Sequence, residues 1–316
     1  NSFSPTQHVI FEIQNDYTGA GETFPITITY PGTSSATAVF RPRIDVPSIL
    51  TIAGSGTGST SGLIQLDGAD YVTFDGSPGG VMGTTSMLRV LNTRTTGSAN
   101  ANFLFVNDAT HNVLNAITVE AGNSSYNCIL IGGTTGTSGN DFTLIQNCII
   151  RDRSDLAVSQ PDKGIYSAST LTGSAANSDI SIIGNKIINA SDGIYLYYTG
   201  NNGNWNISNN HIYFTNPSTT FKISEAIKVE SLEALTATIS SNYIGGTAPF
   251  AGGAPMVETN NGLAFTGIAI TVPNTSPKST ISGNVIKNYQ RNSVGSITFF
   301  AIYVGAGPVD VINNVI

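Results

Sequence analysis

The densest run of chemistry-bearing side chains is Arg151-Asp152-Arg153-Ser154-Asp155, followed downstream by Asp162, Lys163, Lys186 and Asp192. Carboxylates beside cations are the parts of proton-transfer chemistry, and hydrolysis of a glycosidic bond needs two carboxyl groups roughly 5–9.5 Å apart. Asp152, Asp155, Arg153 and Lys163 are therefore the weak catalytic candidates. Asp67/Asp70 and Glu230/Glu233 are the other carboxylate pairs close in sequence. The competing reading, and the favoured one, is a solvated loop whose alternating charges pair with one another.

A second group is aromatic. Read as strands, Gly164-Ile165-Tyr166 and Gly193-Ile194-Tyr195 place each Ile inward, so alternation turns Tyr166 and Tyr195 outward and stacks them. Tyr197 shares the outward side with Tyr195, and Tyr198, Trp205, His211 and Tyr213 lie close in sequence. An aromatic row on a flat sheet stacks on sugar rings. Tyr166, Tyr195, Tyr197 and Trp205 are accordingly the ligand-binding candidates, against the plainer reading that aromatics simply cover the sheet.

Other chemistries find little support. His8, His111 and His211 are far apart and suggest no Ser/His/Asp triad. His211 follows a repeated Asn at a position expected to face solvent. Gly54-Ser-Gly-Thr-Gly58 and Gly132-Gly-Thr-Thr-Gly136 lack the Lys and the helix of a phosphate-binding loop. EF-hand spacing is absent. Cys128 and Cys148 match no zinc spacing, so no metal or cofactor is expected; they form either one disulfide or two small buried hydrophobes.

The elements that must position these residues are legible in composition and repeat. Only 10% of the 316 residues are charged, against about 25% in an average soluble domain. With 34 glycines and 40% hydrophobic residues, the chain is neither a coiled coil nor disordered. Its apolar runs are too short to span a bilayer, so no transmembrane segment is expected. A net charge of −7 and the lack of a basic run argue against nucleic acid as a partner.

One motif recurs: an apolar residue, two spacers, Asn, one spacer, an apolar residue. Its copies centre on Asn147, Asn185, Asn210, Asn242, Asn284 and Asn314, at steps of 38, 25, 32, 42 and 30 residues. A second motif, a small residue followed by Ile, interleaves with it at Ile165, Ile194, Ile227, Ile268 and Ile302, with weaker forms near Ile64, Phe103 and Ile129. These marks give a mean repeat of about 34 residues. Short strands, two or three per repeat, point to an all-β solenoid whose coils stack at roughly 4.8 Å. β-branched residues fill the inward positions. The repeated Asn is expected at the bend, in a left-handed conformation, bonded to its counterpart in the next coil as a structural ladder. Residues 1–60 alternate like strands without the Asn motif and are expected to form an N-terminal β cap with the first strands. Residues 61–316 are expected to form the coils, cut short at the C-terminus.

The Ile-x-x-Asn-x-Ile and Gly-Ile-Tyr alternation resembles the right-handed parallel β-helix repeats of the pectin-lyase-like superfamily. Val9-Ile-Phe-Glu-Ile-Gln-Asn-Asp-Tyr17, Glu22-Thr-Phe-Pro-Ile-Thr-Ile28 and Leu66-Asp-Gly-Ala-Asp-Tyr-Val-Thr-Phe-Asp-Gly76 resemble large β-helical surface proteins of Bacteroidota, commonly exported by the type IX route. That resemblance implies a secreted, cell-surface protein. It also implies that lyase or hydrolase activity must be considered. Pectate lyases use a carboxylate cluster for Ca²⁺ with a nearby Arg or Lys base, and the best local imitation is the Arg151–Asp155 run. The Asn-Thr-Asp, Asp-Asp, Gly-His-Gly and Arg-Ile-Lys motifs of polygalacturonases do not occur. The expected function is thus a non-catalytic stalk or adhesin segment. Its expected partners are a polysaccharide or cell-surface glycan, further coils of the parent chain, or copies stacked end to end; a polysaccharide lyase or glycoside hydrolase is the alternative.

Overall fold

The structure, a computed structural model, describes residues 5–55, 61–80, 85–95, 100–122, 126–133, 135–156, 159–215, 224–258, 264–292 and 298–316. Its strands assemble into three long sheets, each gaining one strand per coil, while Met256–Glu258 and Tyr289–Arg291 pair separately as a two-stranded sheet. Sheet I has ten strands, from Val9–Ile13 and Ala38–Pro42 to Ser279–Ser282 and Val309–Ile312. Sheet II has eight, from Leu50–Gly54 to Val285–Ile286, and sheet III has nine, from Ile26–Ile28 to Phe299–Ala306. The pairings are parallel throughout, as at Tyr166↔Tyr195 in sheet III and Ile187↔Ile212 in sheet II. The chain is an all-β parallel β-helix.

Each sheet sends apolar columns inward, one of which is continuous along it. In sheet III it runs Ile64, Phe103, Ile129, Ile165, Ile194, Ile227, Ile268, Ile302, each in register with the next. In sheet I, Ile145, Ile182, Ile207, Ile239 and Ile281 align; in sheet II, Ile150, Ile187, Ile212, Ile244 and Ile286 do. Most of these residues are wholly shielded from solvent. Flat stacking of β-branched side chains at the coil spacing removes nearly all their apolar surface from water, at about 25 cal/mol per Å².

The Ile-x-x-Asn-x-Ile motif is the corner between sheets I and II. Asn185, Asn210, Asn242 and Asn284 are fully buried. The Nδ2 and backbone N–H of each donate to Oδ1 of the next, at 2.9–3.0 Å, ending on Asn314. Each Nδ2 also donates to a sheet I carbonyl of the preceding coil, as Asn242 does to Ile207 O at 2.9 Å.

Two details of the expected ladder are corrected. Asn147 is not a rung, because its coil is framed one residue later, as Ile145-Gln-Asn-Cys148-Ile-Ile150. The Cys148 N–H donates to Asn185 Oδ1 at 2.9 Å, whereas Asn147 reaches only Asn115 Oδ1 at 3.4 Å. The left-handed residue is also not the ladder Asn but its predecessor: Asn147 (φ 55), Gly184 (68), Asn209 (58), Ser241 (55), Gly283 (63) and Asn313 (53). The bend is made there, leaving the ladder Asn free to turn its amide inward.

Val9–Ile13, Ile26–Ile28 and Leu50–Gly54 are the first strands of sheets I, III and II, so the described part of residues 1–60 is already coil. An apolar cavity of about 600 Å³, lined by residues that include Phe11, Ile13, Ile26, Phe40 and Ile52, lies at that end, and no separate cap is seen among the described residues. Cys128 and Cys148 are free and buried, with burial pushing both thiols up, Cys148 to about 12.

Candidate functional site

The outward face of sheet III carries the tyrosines. At Gly164 and Gly193 the residue before the inward Ile is itself buried, and a side chain there would meet backbone. A Cβ on Gly164 would lie 2.7 Å from Gly193 O, and one on Gly193 would lie 2.4 Å from Ala226 O. Gly164 and Ile165 are both buried between them, and Lys163 and Tyr166 share the outward face. Tyr195 and Tyr166 have ring centroids 5.5 Å apart, and Tyr197 meets both edge-on at 6.1 and 6.3 Å. Tyr198 tilts against Tyr197 at 4.3 Å.

Cations and carboxylates interleave with these rings. Lys163 Nζ lies 5.0 and 5.6 Å from the Tyr166 and Tyr195 ring centres, 2.5 Å from Asp162 and 3.8 Å from Asp192. Lys228 Nζ lies 4.8 Å from the Tyr195 ring centre, 3.1 Å from Glu225 and 3.5 Å from Glu230. Tyr195 OH donates to Glu230 Oε2 at 3.1 Å. Asp192, 8% exposed, has a buried Oδ1 without a hydrogen-bond partner; burial pushes its carboxyl up to about 7, against the pull of Lys163. Its neighbour in register, Glu225, is also raised by burial, with Lys228 opposing.

Toward the earlier coils the face becomes an uncharged groove of about 520 Å³. Gln65, Leu104, Leu130 and Tyr166, one per coil and in register, make its floor. Turns at Asn107, Thr135, Ser169 and Thr199 make its wall, and Tyr197 lies at one end. A floor of leucine and tyrosine with one amide, and hydroxyl and amide groups at the side, suits a sugar chain laid along the solenoid axis.

The remaining candidates lie elsewhere. Trp205 is corrected: it is 1% exposed, points into the core from sheet I, and donates its Nε1–H to Asn202 O at 2.9 Å. Tyr213 is also buried. His211 stands on sheet II, stacked on Tyr243 at 5.1 Å, and accepts the Phe250 N–H at Nδ1.

Asp152, Arg153 and Asp155 sit at the end of a sheet II strand, away from Lys163 in sheet III, and their charges are taken up locally. Arg153 makes a bidentate pair with Asp155 at 2.9 and 2.7 Å and donates to Thr93 O at 2.9 Å. Arg151 holds Asp152 Oδ1 at 3.3 Å. The buried Glu120 accepts from Ser154 N and Oγ and lies 3.8 Å from Arg89. Among the described residues, no three His, Cys, Asp or Glu side chains gather as metal ligands.

Sequence reading missed the groove, because its wall comes from turns of unequal length. The Leu104 and Leu130 floor carried a signal: these leucines occupy the outward position that Tyr takes two coils later. Also unforeseen was a second amide ladder, at the corner between sheets III and I. There Asn140 Nδ2 donates to Asn177 Oδ1 at 2.9 Å, and Asn201 takes the next place, accepting the Ser167 hydroxyl.

No protein-family model matches the chain, and no curated protein matches it. Among solved structures it is similar to a doubly substituted pectate lyase from Xanthomonas campestris, with 13% identity and a TM-score of 0.37, covering 94% of this chain and 82% of that one. It is also similar to the Dettilon tailspike protein, with 12% identity, a TM-score of 0.30, and coverage of 86% and 62%. A third is the Streptococcus pneumoniae surface protein and adhesin PfbA, with 10% identity, a TM-score of 0.27, and coverage of 96% and 91%.

Proposed function

We propose that the chain is a non-catalytic, extracellular segment of a bacterial cell-surface protein, a rigid stalk or adhesin that lays sheet III along a neutral polysaccharide. The observation that carries this reading is the uncharged groove floored by Gln65, Leu104, Leu130 and Tyr166. Charge narrows the ligand. Asp162, Asp192, Glu225 and Glu230 face only Lys163 and Lys228 beside the groove, and both lysines are already engaged. A polyuronate would meet like charge there. The surface location and the type IX route rest on the sequence resemblance. Further coils of the parent chain, or a copy stacked end to end, are the partners proposed for the exposed strands Phe299–Ala306 and Val309–Ile312.

A glycan array probed with the wild type and with Tyr166→Ala tests the reading. Retention of neutral glycans that is lost in the variant is expected. Retention of acidic glycans alone, or equal retention by both proteins, counts against it.

The second reading, a polysaccharide lyase or glycoside hydrolase, is favoured by one observation. Asp192 and Glu225 are adjacent carboxyls, one of them raised toward neutrality, as an acid/base pair requires. Reducing-end and ultraviolet assays over neutral and uronic polymers, with and without Ca²⁺, test it; uniform inactivity removes it.

A further inference from the structure

The corner that leads into sheet I holds a column of aromatic rings in an unfavourable backbone conformation. Tyr71 (φ 54), His111 (φ 55) and Phe142 (φ 55) occupy the same turn position in three successive coils. Bulky residues rarely adopt the left-handed region, and such outliers collect at functional sites. Their backbone N–H groups hold them there: Tyr71 donates to Thr110 O, His111 to Asp141 O and Phe142 to Ser178 O, at 3.0–3.2 Å. The rings stack, Tyr71 on His111 at 4.5 Å and 11°, and His111 on Phe142 at 4.6 Å and 25°.

The column stops abruptly. The next coil places Asp179 (φ 54) at the same turn, so one face of Phe142 lies against His111 and the ring as a whole is 51% exposed. Phe142 borders a cleft of about 340 Å³ on the outer face of sheet I, whose other polar groups include Asp179, Ser181, Asn204, Asn206 and Thr238. Asn204 Nδ2 donates to Asp179 Oδ1 at 2.9 Å and Ser178 Oγ to Oδ2 at 2.8 Å, which fixes the carboxylate. One open aromatic face beside a fixed carboxylate and neutral amides and hydroxyls matches a pyranose. Its C–H face stacks on a ring while its hydroxyls donate to carboxylate and accept from amide. The volume is at the small end for ligand pockets, which suits one ring better than a chain.

We infer that this cleft is a second carbohydrate site, distinct from the sheet III groove, which takes a single neutral pyranose against Phe142 with Asp179 and Asn204 as its polar anchors. It does not depend on the sheet III reading. The site carries its own reporter: Trp205, the only tryptophan in the chain, lies between Asn204 and Asn206 on the strand that lines the cleft.

The test is titration of tryptophan emission with methyl glucoside, methyl galactoside, methyl mannoside and N-acetylglucosamine, for the wild type, Phe142→Gly and Tyr166→Ala. Glycine is at ease at φ 55, so Phe142→Gly removes the ring without straining the turn, and its unfolding midpoint measured alongside confirms the fold. A saturable change with at least one sugar is expected, kept in Tyr166→Ala and weakened at least tenfold in Phe142→Gly. No saturable change with any sugar, a change that survives Phe142→Gly, or one lost in Tyr166→Ala would each overturn the assignment.

Discussion

The end of the sheet II strand at Arg151–Asp155 and the groove on sheet III are built on opposite plans. The first concentrates charge and spends it internally: Arg153 is closed on Asp155 and Thr93, Arg151 on Asp152, and Ser154 on Glu120. The second has a floor of Gln65, Leu104, Leu130 and Tyr166 and leaves room above it. In a solenoid with few charges, a charged run marks a place that holds a loop down, whereas an uncharged row that repeats coil after coil marks an open surface.

The comparison breaks most visibly at Arg153. Its guanidinium is nearly buried, and Arg153→Ala leaves Asp155 and the Thr93 carbonyl without their partner. A loss of about 3 kcal/mol in chemical denaturation is expected, with glycan binding unchanged. If binding falls with stability held, the charged run belongs to the site and the contrast fails. Tyr166→Ala is the mirror case: an affinity loss of about tenfold with under ~1 kcal/mol in stability, read by calorimetric titration against unfolding curves.

Asp192 bridges the two plans, being a charge placed on the open face. Burial pushes its carboxyl up to about 7 in the folded state, above its ordinary range, so the folded state binds more protons between about pH 4 and 7. Stability attributable to this group is therefore greatest at acid pH, declines as pH rises through that window, and levels off above it. Asp192→Asn is expected to flatten the slope and to gain about 1–2 kcal/mol at pH 8, measured by denaturation at a series of pH values. The smallest effect is expected at Asn147. Because it makes a left-handed bend and carries no rung, Asn147→Gly costs less than about 0.5 kcal/mol, while Asn242→Ala, which strips a buried rung, costs about 3 kcal/mol.

Much of the fold was legible because a parallel coil repeats its demands. Ile182, Ile187, Ile207 and Ile212 fall where the Asn motif places them, since each column repeats an apolar side chain that stacks on its neighbour. Legibility failed where one residue broke the pattern. Cys148 takes the Asn slot, its backbone N–H donating to Asn185 Oδ1 and its Sγ–H to Leu114 O at 3.6 Å, so the first motif reads one residue early, onto Asn147. Trp205 joins the ligand-binding candidates through its closeness to the tyrosines, yet Ile207 two residues later is inward, and alternation puts Trp205 on the same side. Of the candidate site, the Tyr166–Tyr195 pair was visible in sequence. The groove beside it was not, because Thr135, Ser169 and Thr199 come together only after turns of different length close over the sheet.

The central claim is that sheet III holds a neutral polysaccharide without cutting it. Proton NMR of a neutral oligosaccharide, chosen from the class retained on the array and incubated with the protein for a day, addresses both halves in one measurement. The account predicts broadening of the sugar resonances that Tyr166→Ala abolishes, with the anomeric signals otherwise unchanged. Sharp sugar lines throughout, or new reducing-end anomeric signals that grow with time, would contradict it.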